Sequence, residues 1–381
     1  MRKPLLSIII ILLQAAMLRP AFAQDGVELS VKGFADSYHA LRTESPGDWM
    51  SSRTRLRAEA TLEKDGAGIF ASANLVHNAV LKDLSGLQLR EAYSFWGSEH
   101  WDIRAGKQII TWGVADGLRV TDVISPMDYT EFLAQDYDDI RIPVGALRVR
   151  YSRDKWSLDA VAVPVPEFFK IPMDAKNPWS VGNLSSFLGP EPAAKAVNME
   201  YGARLSFFLS GVDFSLTALH TWNKMPEFRG NMYVYHRLGI FGGDVSIPLG
   251  KFVIRGEVAD YLDDLDVNTA NGLIGVDWYP GNDWNVSAQY NHNYRMSGSD
   301  RNSALATFRL SKALLGNTLT LSTFAYVDVS DGGIFNRFSA DYAVSDQVHA
   351  VLGYDYFHAD KGIFLLYAHN SEAWMKLKYS F

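Results

Sequence analysis

The chain closes on Met375-Lys-Leu-Lys-Tyr-Ser-Phe381, and the reading of this stretch decides the fold. Met375, Leu377, Tyr379 and Phe381 alternate with Lys376, Lys378 and Ser380. A period of two puts one set on each face of a strand. The strand ends the chain, and it ends on an aromatic. That arrangement implies an all-β outer-membrane barrel, an antiparallel up-and-down transmembrane β-barrel, with Phe381 and Tyr379 as its assembly signal. The partners expected from this are the barrel assembly machinery, outer-membrane lipid and lipopolysaccharide.

The other end agrees. Arg2 and Lys3, the apolar run Leu5 to Leu18, and Ala21-Phe22-Ala23 before Gln24 have the layout of a cleaved signal peptide over residues 1–23. Arg19-Pro20 interrupts the apolar run, which argues against a membrane anchor. No other segment approaches the roughly 20 apolar residues a spanning helix needs. A mature chain of 24–381 that crosses a bilayer must therefore cross as strands, in the outer membrane of a Gram-negative cell. No linker, plug or periplasmic domain is visible before the first strand.

Composition narrows the classes further. The absence of Cys excludes disulfides, thiolate metal sites and a Cys nucleophile. The 18 Tyr, 21 Phe and 10 Trp are enough for two interfacial girdles. The formal charge of -7 becomes -10 once Arg2, Lys3 and Arg19 leave with the signal. With no basic stretch, nucleic acid is not an expected partner.

Period-two alternation recurs in about eighteen segments of roughly ten residues, the length of a tilted membrane strand. Leu56 to Leu62, Leu147 to Tyr151, Phe252 to Val258 and Leu319 to Ala325 are clear cases. Short turns are expected near Lys64-Asp-Gly66, Gly97-Ser-Glu99, Ser152 to Lys155, Ser210-Gly211, Pro248 to Gly250, Pro280 to Asp283, Leu314 to Asn317 and Val344 to Asp346. Between them fall longer segments: Leu41 to Met50, Gly113 to Pro143, Pro164 to Ala193, Asn223 to Gly230 and Ala359 to Ser371. Short and long connections alternate as in a barrel with both termini on the periplasmic side, which requires an even strand count. The exceptions are Val80 to Gly86 and Ser330 to Gly333, which are short for outside loops.

Lipid-facing positions must be apolar, so the opposite parity faces the lumen. Charge on the lipid face costs about 2–4 kcal/mol per Lys or Arg at the midplane. This rule turns Arg53, Arg55, Arg57, Arg104, Arg148, Arg150, Arg204 and Arg255 inward, with Arg309 and Arg337. Glu59, Asp102, Asp159, Glu200, Glu257 and Asp341 are expected to face them. Such a wall either selects anionic and polar solutes or stiffens itself by salt bridges. Glu91 breaks the rule, being in phase with Leu89, Tyr93 and Phe95.

Gly113 to Pro143 is long enough to be functional. It carries the acidic residues Asp128, Glu131, Asp136, Asp138 and Asp139. A short helix is expected over Thr130 to Ile140, burying Phe132, Leu133, Tyr137 and Ile140. The loop is expected to fold into the barrel as a constriction, its carboxylates meeting the wall arginines. The second long loop, Pro164 to Ala193, brings Phe168, Phe169, Trp179 and Phe187 to the mouth.

Gly106-Lys-Gln108, Trp112-Gly113, Ser125-Pro-Met-Asp128 and Arg255-Gly-Glu257 resemble landmarks of an uncharacterised porin-like outer-membrane barrel family. The chain departs from that pattern at Lys107, Val114 and Ser125. The resemblance implies an outer-membrane channel and, as a further expectation, pairing with an envelope exporter of lipid or hydrophobe; it implies no agreed substrate.

Catalytic chemistry is not legible. The nine His are scattered, and neither a Gly-x-Ser-x-Gly elbow nor a His-Glu-x-x-His motif occurs. His358, Asp360 and His369 read as solvated loop residues. Asp263, Asp264 and Asp266 read as an acidic turn. No catalytic residue, metal or cofactor is expected. The expected function is passive diffusion of small polar or anionic solutes. The alternatives are a conduit for a lipid-like molecule and, third, an outer-membrane hydrolase.

Overall fold

The computed structural model describes residues 26–137, 139–182, 185–264, 268–296 and 302–381. The expected signal peptide, Asp138 and Asp266 lie outside the described residues. Nine strands come first: β1 (Glu28–Arg42), β2 (Trp49–Lys64), β3 (Ala67–Asn78), β4 (Gly86–Gly97), β5 (Trp101–Gln108), β6 (Val144–Arg153), β7 (Trp156–Val163), β8 (Glu200–Leu209) and β9 (Val212–Trp222). A small hairpin follows, β10 (Glu227–Arg229) and β11 (Met232–Val234). Then come β12 (Arg237–Leu249), β13 (Phe252–Asp263), β14 (Thr269–Gly281), β15 (Trp284–Arg295) and β16 (Ser303–Leu314). The last four are β17 (Leu319–Asp328), β18 (Ile334–Ala343), β19 (Val348–His358) and β20 (Glu372–Ser380).

All but the hairpin form one 18-stranded sheet, each strand antiparallel to its neighbours. β20 pairs with β1 from Phe34↔Ser380 to Arg42↔Glu372 and closes the ring. Closure satisfies the backbone hydrogen bonds that an open edge would leave exposed. Beyond the last pair, Gly33 and Phe381 exchange backbone hydrogen bonds of 3.0 and 2.9 Å. Glycine is required there, because a Cβ on residue 33 would lie 2.8 Å from the Phe381 ring.

The outer face carries the apolar parity. Met375, Leu377 and Tyr379 are exposed there, as are Ile254, Val258, Ile274 and Leu352. Exposed aromatics form two bands. Trp96, Trp101, Trp278 and Trp284 lie near the short turns, and Trp49, Tyr201, Tyr294 and Tyr354 near the long-loop ends. The short turns fall between the strands where turn residues mark them, with Asp65, Gly66, Asn282, Asp283 and Asn317 at positive φ.

Glu91 is explained by a bulge. Ser72 pairs with Glu91 but Ala73 pairs with Leu89, so Arg90 is the extra residue. The extra residue inverts the parity below it. Glu91, Tyr93 and Phe95 face the lumen and Leu89 faces out, whereas uninterrupted alternation would place all four together.

The apolar core lies inside the barrel. The described residues of segments 109–143, 164–199 and 359–371 pack Trp112, Ile124, Trp179, Phe364 and Tyr367 against Tyr38, Ile240, Phe335, Phe357 and Trp374 of the wall. Fully burying one large apolar side chain is worth about 1.5–3 kcal/mol. The helix expected over Thr130 to Ile140 does not form; its described residues are turns and bends. Phe132 sits at φ 45°, a left-handed conformation that no right-handed helix continues through. Contacts with the wall take the place of helical hydrogen bonds.

Candidate functional site

The chain enters the lumen directly after β5, and a single carboxylate fixes the entry. Glu257 accepts backbone N–H bonds from Val114, Ala115 (2.6 Å) and Thr121 (3.1 Å), and the Thr121 hydroxyl (3.1 Å). Gly113 makes the approach possible: its φ is 96°, and a Cβ would meet Glu257 Oε1 at 2.8 Å. Ser125 Oγ accepts from Ile110 N–H at 2.9 Å, and Asp122 holds both Trp112 N–H (3.2 Å) and Arg141 (2.6 Å). Gln108 donates to the Ala146 carbonyl at 3.0 Å. The landmark residues thus make separate contacts: Gln108 holds β6, Ser125 holds Ile110, and Glu257 holds the loop to β13.

The loop then crosses to the arginine row of β2. Glu131, 2 % exposed, accepts from Arg53 at 3.0 Å and from the Ser51 hydroxyl at 2.8 Å. Asp139 lies 2.9 Å from Arg55 and 2.8 Å from Arg57, and its carbonyl accepts from the bulge residue Arg90 at 3.0 Å. Burial alone would raise the Asp139 pKa; Arg55 and Arg57 outweigh it and hold this carboxyl well below the usual carboxylate range. Arg337 of β18 donates to the Ala134 carbonyl at 2.7 Å, Lys376 of β20 pairs with Asp136, and Asp116 meets Arg309 at 2.9 Å. Asp128 turns elsewhere, toward Lys170 of the second long loop at 3.4 Å.

The other lumenal arginines are balanced mostly by the wall itself. Arg104 pairs with Asp102 at 3.0 Å, and Arg148 and Arg150 share Asp159. Arg204 pairs with Asp244 at 2.8 Å. Arg255 pairs with Asp277 at 2.6 Å and also donates to the Val114 carbonyl at 3.0 Å. Glu200 holds Lys224, and Asp341 holds His349 at 2.8 Å.

Two cavities flank the loop. The smaller, about 300 Å³, is polar and lies against β2, β3 and β4, lined by Arg53, Arg55, Arg57, Asn74, Arg90 and Glu131. The larger, about 730 Å³, is mainly apolar and opens toward the long-loop end. The loop lends it Tyr129, Phe132 and Tyr137, and β12, β13 and β17 lend Ile240, Tyr261 and Tyr326. Phe132 stacks on Tyr367 with ring centres 3.8 Å apart.

At the rim of this vestibule His236 is buried between two carboxylates, with Nδ1 2.9 Å from Asp263 and Nε2 3.7 Å from Glu227. Burial would lower the His236 pKa, but Glu227 and Asp263 raise it. Asn223 Nδ2 also lies 3.1 Å from Nε2, so the ring sits between two carboxylates and an amide. Nothing in the sequence marks this set, because the three residues come from separate strands and loops. Asp263 therefore does more than polarise an acidic turn.

Residues 29–366 match the family model described as "Protein of unknown function (DUF1302)", and the chain belongs to that family. No curated protein matches it in sequence. Among solved structures, Pseudomonas aeruginosa OccK11 (OpdR) is similar with a TM-score of 0.59 at 9 % identity, covering 93 % of this chain and 96 % of that one. Acinetobacter baumannii OccAB3 gives 0.56 at 10 % identity, covering 93 % of this chain and 99 % of that one. At these identities the likeness is one of fold: a closed 18-stranded antiparallel barrel.

Proposed function

We propose that this protein is an outer-membrane channel through which small polar or anionic solutes diffuse passively. The observation that supports this best is the acidic loop clamped across the lumen onto Arg53, Arg55, Arg57 and Arg90. Opposed charges set up a transverse field where the loop meets the wall, which sorts solutes by charge distribution as well as size. An 18-stranded ring is wide enough to keep an aqueous path beside such a loop. The exposed apolar outer face, banded by aromatics, suits a bilayer with the short turns at the periplasmic side. The wall arginines are mostly charge-paired, so any anion preference comes from Arg150 and other partly solvated members rather than from a bare cationic ladder.

Single-channel recording on the purified protein in planar bilayers tests this. Stepwise conductance is expected, with ion selectivity shifted by Asp139→Lys. A protein that inserts but conducts at no voltage overturns the open-channel reading. A second reading, a conduit for amphipathic molecules supplied by a periplasmic partner, draws support from the inward-facing Leu238, Ile240, Tyr261, Leu305 and Tyr326. Ile240, Tyr261 and Tyr326 also hold the inward segments, and they leave an apolar surface facing the larger cavity.

A further inference from the structure

The vestibule combines three features that a simple aqueous passage does not require. Its wall is an aromatic and aliphatic surface built jointly by three inward-folded segments and the upper strands. Its volume of about 730 Å³ is in the range of small-molecule binding sites. Two of its lining residues, Arg119 and Tyr137, also carry a buried donor atom without a partner among the described residues, Nη1 and Oη.

Arg119 is held rigidly for a task its own contacts leave open. Its Nε and Nη2 donate to the carbonyls of Asp122 and Ser125, and its guanidinium lies over the Phe169 ring at 5.4 Å. Those bonds occupy Nε and Nη2 and leave Nη1 without a partner among the described residues. Leaving a buried donor unpaired costs about 1–3 kcal/mol, more for a charged group. Tyr137 is positioned by the Arg141 guanidinium over its ring at 5.2 Å, while its hydroxyl stays unpaired. Phe132 adds the apolar floor, held in a strained left-handed conformation that keeps its ring on Tyr367.

We propose that the vestibule binds an amphipathic organic anion, a molecule with one acid group and an aromatic or aliphatic body. The acid group takes Arg119 Nη1 and the Tyr137 hydroxyl. The body lies on Phe132, Phe169, Tyr326 and Tyr367. This deepens the channel reading and rests on it for the step after binding, passage through the lumen; the binding step stands separately.

Phenylbutyrate and its neutral amide are suitable probes, since they share one body and differ in the head group. Binding is measured by titration calorimetry on the full barrel in nanodiscs, with empty nanodiscs subtracted. The acid is expected to bind about tenfold or more tighter than the amide, the value of a charge-assisted hydrogen bond in a dry site. Arg119→Gln is expected to remove that preference. Tyr137→Phe, which keeps the ring, is expected to weaken the acid severalfold and spare the amide. Folding of each variant is verified by heat-modifiable mobility. Equal binding of acid and amide by the native protein overturns the proposal, as does a preference that survives both substitutions. Conductance separates the two readings: a barrel that conducts salt but does not discriminate the probes sinks the binding site alone, and one that discriminates them but never conducts sinks the channel alone.

Discussion

The inward loop has two dissimilar sides. Toward β2 and β4 it offers carboxylates to four arginines, in a polar cleft of about 300 Å³. Toward β12, β13 and β17 it offers rings to an apolar hollow of about 730 Å³. The same backbone segment serves both, with Glu131 and Asp139 on one side and Phe132 and Tyr137 on the other. The charged side holds the loop in place, because each partner removed leaves a buried charge behind. The apolar side leaves room and presents unpaired donors. Anchoring and selection are thereby assigned to opposite faces.

The largest test of that division is Asp139→Asn. Breaking a buried ion pair by removing one partner costs about 3–5 kcal/mol. Lower thermal stability of the barrel and larger, noisier channel openings are expected; an unchanged trace would mean that the loop is held from its apolar side. Glu257→Gln comes next, since it weakens three backbone contacts at the loop entry by about 1–3 kcal/mol in total. Amide exchange over residues 113–121 should accelerate while the β2 contacts persist. On the other face, Phe132→Ala removes a stacked ring worth about 0.5–1.5 kcal/mol beyond its burial. It should leave ion selectivity intact, and a selectivity change would blur the distinction between the faces.

Acidity provides the gentlest test. The Asp139 pKa is depressed on folding, so its contribution is full above the unfolded carboxylate value and is lost only as pH falls through the lower folded value. Selectivity should therefore persist well into acid. His236 works with the opposite sign. Its raised pKa makes its clamp complete below the unfolded value of about 6.5 and removes it as pH rises through the folded value. Exchange protection of residues 223–236 should drop as pH rises through that folded value, and His236→Gln should flatten the profile.

Much of the barrel is legible because its rule is local. Lipid admits apolar side chains at every second position, so Leu56, Leu147 and Leu377 disclose the orientation of Arg57, Arg148 and Lys378 beside them. The rule fails where one residue is inserted: Arg90 shifts the parity, and Glu91, Tyr93 and Phe95 move to the lumen without altering a single apolar count. The loop helix fails for a related reason. The spacing of Phe132, Leu133, Tyr137 and Ile140 suits a helix in isolation, but wall arginines and the Phe357 and Tyr367 rings draw those residues into turns. Glu257 was legible as lumenal, yet its hold on Val114, Ala115 and Thr121 spans more than a hundred residues of chain.

By itself, then, the sequence determined the class of structure: an even-stranded, closed barrel with an apolar exterior and an acidic loop after β5. A period of two against a fixed solvent leaves little choice. The tertiary structure alone decided which arginines meet the loop, that His236 joins Glu227 and Asp263, and that Phe132, Tyr261, Tyr326 and Tyr367 line one cavity. Those outcomes depend on which strands ring closure brings face to face across the lumen, a distance that no local pattern encodes.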